Sequence, residues 1–209
     1  MKISEMLKLG IILALFAAAA CVMLAFVYTG TSDVIAQRQQ ADLEAALKEL
    51  FPEADSFELI EDIKSGDETV TIESAYAAIK KDLPYGAALT VTRASYSGPI
   101  KIMVGANTDG FITGVKILEH SDTPGLGANA ASPSYFVDRA NGITFYGQFT
   151  NKKVTDPFAV NDDVQVITAS TITSRAVSDS VKAAALAASA WLEGKEPDVI
   201  TSATRKHGE

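Results

Sequence analysis

The chain has 209 residues, with 18 Lys and Arg against 26 Asp and Glu, a formal net charge of −8, one cysteine and two histidines. Such an acidic balance argues against nucleic acid as a partner, because it is repelled by phosphate backbones. Cys21 alone makes no disulfide within one chain and holds no iron–sulfur cluster, and His120 and His207 are too few for a histidine-rich metal site, so any redox chemistry falls to an organic cofactor.

Leu9 to Tyr28 carries no charged residue and has the roughly 20 residues needed to cross a hydrocarbon core as a helix. Lys2 and Lys8 precede this run and Asp33 is the first charge after it. The positive-inside rule then puts residues 1–8 in the cytoplasm, 9–28 across the inner (cytoplasmic) membrane in a single pass, and the remainder outside. A basic start followed by Ala18-Ala19-Ala20-Cys21 also fits a cleaved signal peptide, and weakly a lipobox. The apolar run continues through Val22, Met23, Leu24, Phe26 and Val27, which favours an uncleaved anchor.

Residues 29–52 form a linking helix in this reading. Ala36, Leu43, Ala46, Leu47 and Leu50 follow a helical period that Pro52 closes. Residues 53–197 are long enough for one domain with its own core. Within it Leu89 and Val91 alternate with Thr90 and Thr92, Ile100, Ile102 and Val104 share a face, and Phe111, Val115 and Ile117 share another. Asn107-Thr108-Asp109-Gly110 is a hairpin turn between the last two runs. The expected class is α+β: an antiparallel sheet with one face buried by helices.

Ser132-Pro133 reads as an N-cap and first helical residue, opening a short helix through Arg139 that Gly142 ends. From Arg175 to Leu192 the residues Val177, Val181, Ala184, Ala185, Ala188, Trp191 and Leu192 fall at three- and four-residue steps. They mark an amphipathic terminal helix whose alanine-rich stripe permits close packing. Gly194 and Pro197 terminate it, and the tail 198–209 is expected to be flexible.

Two segments carry candidate chemistry. Thr168-Ala169-Ser170-Thr171-Ile172-Thr173-Ser174 packs hydroxyls immediately before the terminal helix, where backbone N–H groups are unpaired and face an anion. An ordinary N-cap is the plainer reading of the same residues. His120-Ser121-Asp122-Thr123-Pro124-Gly125-Leu126-Gly127 is a glycine-bearing loop, which reads either as a tight turn or as a backbone able to approach a planar ring. His120 and Asp122 suit orienting loop backbone as well as they suit touching a ligand. Tyr135, Phe136, Phe145, Tyr146 and Phe149 are aromatic candidates for packing near a ring or in the core.

The Thr168–Ser174 run resembles the S/T-G-A-T-x-T-S segment of the FMN-binding domain family, in which FMN is joined through its phosphate to a threonine hydroxyl. Tyr96-Ser97-Gly98-Pro99-Ile100 and the Asp122–Gly127 loop are similar to that family's G-P-I strand and E-T-P-G-L-G loop. With the amino-terminal anchor, the similarity extends over most of the chain and is to G subunits of Rnf electron-transport complexes. The C subunits of sodium-pumping NADH:quinone reductases are the nearest competitor.

The resemblance implies covalent FMN on Thr171. Thr123, Gly125, Leu126 and Gly127 would lie on one side of the site, and Thr168, Ala169, Ser170, Thr173 and Ser174 on the other, with His120 and Asp122 flanking the loop. Ala169 stands where the family usually has Gly, Ser170 where it has Ala, Gln165 where Asp is frequent, and Asp122 where Glu is usual. It further implies a one-electron relay within a ferredoxin:NAD oxidoreductase coupled to Na+ or H+ transport. Its partners would be a second flavin-carrying membrane subunit and iron–sulfur subunits. A non-redox assembly or binding module, and a stand-alone reductase, are the other readings that the residues leave open.

Overall fold

A computed structural model describes residues 3–194; Pro197 and the expected flexible tail, 198–209, lie outside the described residues. The chain divides into two units, Met1–Glu44 and Ala45–Glu209.

In the first unit, helix α1 (Ile3–Leu50) is long and apolar enough to cross a membrane, and its apolar side chains from Leu9 to Tyr28 are exposed. A helix that is apolar all round has no water-facing side, which suits it to lipid. α1 continues past Tyr28 without a break, so the expected span and linking helix form one element. Its last turns belong to the second unit, where Ala46, Leu47, Leu50 and Phe51 are buried.

The second unit is built on an antiparallel meander of five strands in sequence order: β1 (Ser56–Leu59), β2 (Thr71–Lys80), β3 (Leu83–Ala94), β4 (Pro99–Asn107) and β5 (Ile112–Glu119). The α+β class holds. The hairpin turn at residues 107–110 also forms as expected. Gly110 adopts φ +78°, and Asn107 Oδ1 accepts the Phe111 N–H at 2.9 Å.

Phe111 does not join Val115 and Ile117 on the buried face. A register irregularity between the Gly105 and Ala106 pairings puts Ile112 in the core and leaves Phe111 36% exposed. Strand alternation cannot see a bulge, because one extra residue inverts the parity of everything before it.

The sheet is covered on both faces, not one. Helix α2 (Thr171–Leu192) packs on β3 and β4 and buries Val177, Val181, Ala184 and Ala188 with Leu89, Val91, Ile100, Ile102 and Val104. On the opposite face Leu50 and Phe51 fit over glycines: a Cβ at Gly86 would lie 2.4 Å from the Phe51 ring, and one at Gly105 would lie 3.0 Å from both Leu50 and Phe51. Thr90, expected on an open face, is consequently buried.

After β5 the chain enters a 3-10 turn at Gly127–Ala131 and a small hairpin, β6 (Phe136–Asp138) with β7 (Ile143–Thr144). The helix expected from Ser132 to Arg139 is absent. Ser132 Oγ accepts the Ser134 N–H at 3.3 Å, closing a local turn, and Phe136-Val137-Asp138 then extends as a strand. Serine caps such turns and helices with the same hydrogen bond, so the motif alone does not separate them. Gly142, with φ +68°, serves the hairpin.

Candidate functional site

The meander brings the β3–β4 connection and the loop after β5 to the end of the sheet where α2 begins. A cleft of about 420 Å³ lies there, lined by Tyr96, Asp122, Thr123, Leu126, Gly127, Ala169, Ser170, Thr171, Ile172 and Thr173. Its size is that of an ordinary small-molecule cleft. The glycine loop and the hydroxyl run thus form its two walls.

The loop wall starts with Asp122, a buried carboxylate that accepts hydrogen bonds from Ser95 Oγ at 2.9 Å and from the Ser97 N–H at 3.1 Å. Both donors flank Tyr96, so Asp122 fastens the β3–β4 connection to the loop. Thr123-Pro124-Gly125-Leu126 turns tightly, with the Leu126 N–H donating to the Thr123 carbonyl at 3.1 Å and Gly125 at φ +79°. Proline at the second position and a positive-φ glycine at the third follow the type II pattern.

Gly127 answers a different need. A Cβ there would lie 2.6 Å from Thr173 Oγ1 and 2.7 Å from Asp122 Cβ and Cγ. Its missing side chain therefore lets the loop close against the start of α2.

The helix wall is set by an unusual entry into α2. Ser170 is the N-cap residue but supplies no side-chain cap, and the first helical bond is Ser174 N–H to the Ser170 carbonyl at 3.0 Å. The N–H groups of Thr171, Ile172 and Thr173 therefore have no acceptor among the described residues. Unpaired amides at the positive end of a helix dipole constitute an anion-binding arrangement. Thr171 is exposed at the helix start, whereas Thr173 is buried against Gly127.

Ala169 enters the turn in the left-handed region, φ +60°. This conformation costs a non-glycine residue about 1–2 kcal/mol, and glycine there would give back about 0.4–1 kcal/mol in backbone entropy. Ala169→Gly is therefore expected to stabilise the domain by roughly 0.5–1 kcal/mol. Chemical denaturation checks this, and equal or lower stability in the variant would contradict the strain.

Not every expected residue reaches the cleft. Ser174 is fully buried, its Oγ accepting the Ile167 N–H and donating to the Ser170 carbonyl, both at 3.0 Å. Its hydroxyl shapes the turn from inside. Thr168 is exposed beside the cleft and its N–H donates to Tyr135 Oη at 3.2 Å. His120 is exposed and does not line the cleft; Gly125 sits on the outer side of its turn.

Phe145 and Phe149 are core residues, Tyr135 and Tyr146 pack partly against that core, and Phe136 is exposed. Gln165 lies just before the run, with its N–H and carbonyl bonded to the Gln148 side chain at 2.8 and 3.1 Å.

Tyr96 and Ile172 line the cleft although the sequence offers them only as members of the two matched segments, not as site residues. The signal for each is faint: a large apolar residue at a hairpin tip, and another at the exposed start of a helix. Tyr96 is 72% exposed, Ile172 57% and Leu126 43%, giving the cleft an apolar rim above its hydroxyl-lined wall.

A model of the FMN-binding domain matches residues 95–186, and a model of the RnfG N-terminal region matches residues 1–50. The chain is 34% identical over 193 residues to the G subunit of the ion-translocating oxidoreductase complex of Aliivibrio fischeri, covering 87% of this chain and 90% of the relative. It belongs to the family of G subunits of ion-translocating oxidoreductase complexes.

Two further members of this family have more specific names. The G subunit of the proton-translocating ferredoxin:NAD(+) oxidoreductase complex of Clostridium ljungdahlii is 31% identical over 83% of this chain and 86% of its own length. The G subunit of the Na(+)-translocating ferredoxin:NAD(+) oxidoreductase complex of Acetobacterium woodii is 29% identical over 83% and 87%. The FMN-binding match contains the entire cleft, from Tyr96 to Thr173.

Proposed function

We propose that the chain is the membrane-anchored electron-carrier subunit of an ion-translocating ferredoxin:NAD oxidoreductase complex, with one FMN joined through its phosphate to Thr171 Oγ. The observation that carries this reading is the cleft itself. An exposed threonine hydroxyl, three unpaired amides and an apolar rim converge on one space within the FMN-binding match. Each part of the cofactor has a chemical counterpart there.

The N–H groups of Thr171, Ile172 and Thr173 suit the phosphate, since charge-assisted bonds to backbone amides are the strongest available to an anion at this end of a helix. Thr123, Ser170 and Thr173 offer hydroxyls that would suit ribityl oxygens, and Tyr96, Leu126 and Ile172 would offer apolar contact to the ring. FMN, when bound, supplies electron transfer in single or paired steps. The polypeptide's part is to hold and orient it. Asp122 is committed to Ser95 and Ser97, and His120 stands outside the cleft, so neither is placed as an acid or base.

Covalent attachment suits a domain outside the cytoplasm, because a tethered cofactor no longer depends on free ligand concentration. In this reading residues 1–8 are cytoplasmic, 9–28 span the inner membrane and the domain up to residue 197 is extracytoplasmic. The partners are the other membrane and iron–sulfur subunits of the complex, which couples electron flow to Na+ or H+ movement; the relatives' names include both ions. The amino-terminal match at residues 1–50 supports a G subunit over a C subunit of the quinone reductase type.

The test is the intact mass of the polypeptide isolated from its own membrane. A value equal to the amino acids plus one FMN less one water is expected. A polypeptide weighing only its amino acids would refute covalent attachment.

A further inference from the structure

Helix α2 has no acidic residue in its first turn and carries Arg175, exposed, one turn after Thr171. Arg175 is the fifth residue of α2, at the edge of the first turn over which the helix dipole acts, so its charge gains nothing from the dipole.

The Arg175 side chain has no compensating partner: among the described residues it forms no ion pair and no hydrogen bond. Asp179, the acid one turn further along α2, is paired with Arg93 of β3. The one carboxylate lining the cleft, Asp122, is bonded to Ser95 and Ser97. Arg175 does not line the cleft itself; it is exposed one turn after Thr171, also exposed, and no carboxylate pairs with its side chain among the described residues.

Side chains four apart on a helix are neighbours, and long ones favour leaning back toward the N-terminus, which puts Thr171 within the reach of Arg175. We propose that Arg175 is a positioning residue, the counter-ion of the phosphodiester at Thr171. This rests on the reading above, in which FMN is esterified there. The diester retains one negative charge, and a planar guanidinium matches two of its oxygens at once, which an ammonium does not. Arg175 thereby fixes how the phosphate sits over the helix start.

The experiment is a cycle of thermal midpoints on the full chain in detergent, with Arg175→Gln made in two backgrounds. One is the flavinylated chain and the other the flavin-free Thr171→Ala chain, each sorted by intact mass. In the flavin-free background, removing the charge breaks no ion pair and the midpoint is expected to stay level. In the flavinylated chain it is expected to fall, by about 2–4 °C on the usual scale for a domain of this size. The flavinylated Arg175→Lys chain should fall less than Arg175→Gln.

A merely structural Arg175 would shift both backgrounds in the same direction by the same amount, and that result overturns the proposal. If the wild-type chain carries no FMN mass, the functional reading falls first and this inference falls with it.

Discussion

Thr171→Ala is expected to abolish covalent flavin completely while leaving the fold intact. Thr171 is exposed at the start of α2 and its hydroxyl makes no hydrogen bond among the described residues, so its loss removes a nucleophilic oxygen and little else. Surface substitutions of this kind usually change stability by less than about 0.5 kcal/mol. The purified variant should show no ultraviolet-excited fluorescence on a denaturing gel and should weigh only its amino acids. Its unfolding midpoint should remain that of the flavin-free chain. Thr171→Ser retains the oxygen and should keep the label. A fluorescent band persisting in the alanine variant would move the attachment point to another hydroxyl, with Thr123 and Thr173 also lining the cleft.

Gly127→Ala is expected to damage both the cleft and the fold. The added methyl meets Thr173 Oγ1 at 2.6 Å and Asp122 Cβ and Cγ at 2.7 Å. Neither neighbour yields easily, since Thr173 is a buried residue of α2 and Asp122 is pinned by Ser95 and Ser97. The loop must therefore move off the helix start. Overpacking of this kind costs about 1–3 kcal/mol, and it separates the two walls that hold the cofactor.

Gly125→Ala is the informative control. A Cβ there meets nothing within 4 Å, so only the φ of +79° is strained, costing about 1–2 kcal/mol. Its cleft walls should stay in contact. Flavinylated fraction by intact mass, beside thermal midpoints, separates the two variants. Wild-type labelling and stability in Gly127→Ala would refute the close approach of loop and helix start.

The same two glycines show where reading from the sequence stops. Both invite the idea of backbone approaching a ring. One forms a turn, and the other also clears space for a residue that is remote in sequence. Ser174 differs in the same way: its place in the motif matches the expected phosphate partners, yet its hydroxyl is spent on Ile167 and Ser170. Ala169 is a departure from a familiar pattern, and its φ of +60° explains why glycine suits that position.

Local features follow from the residues alone: the uncharged run of α1, the hairpin at Asn107–Gly110, the alternation of β3 and β4, and the hydroxyl-rich start of α2. Each arises from hydrophobic period or from turn and cap chemistry, which act over a few residues. Packing between elements settled the rest. β2, poor in bulky β-branched residues, became a strand because β1 and β3 pair with it, and Thr90 was buried although its strand alternates. Tyr96 met Ile172 across one cleft because the meander and α2 bring distant segments to the same end of the sheet. Such proximities depend on pairing register and on which elements stack, and no short window of sequence contains them.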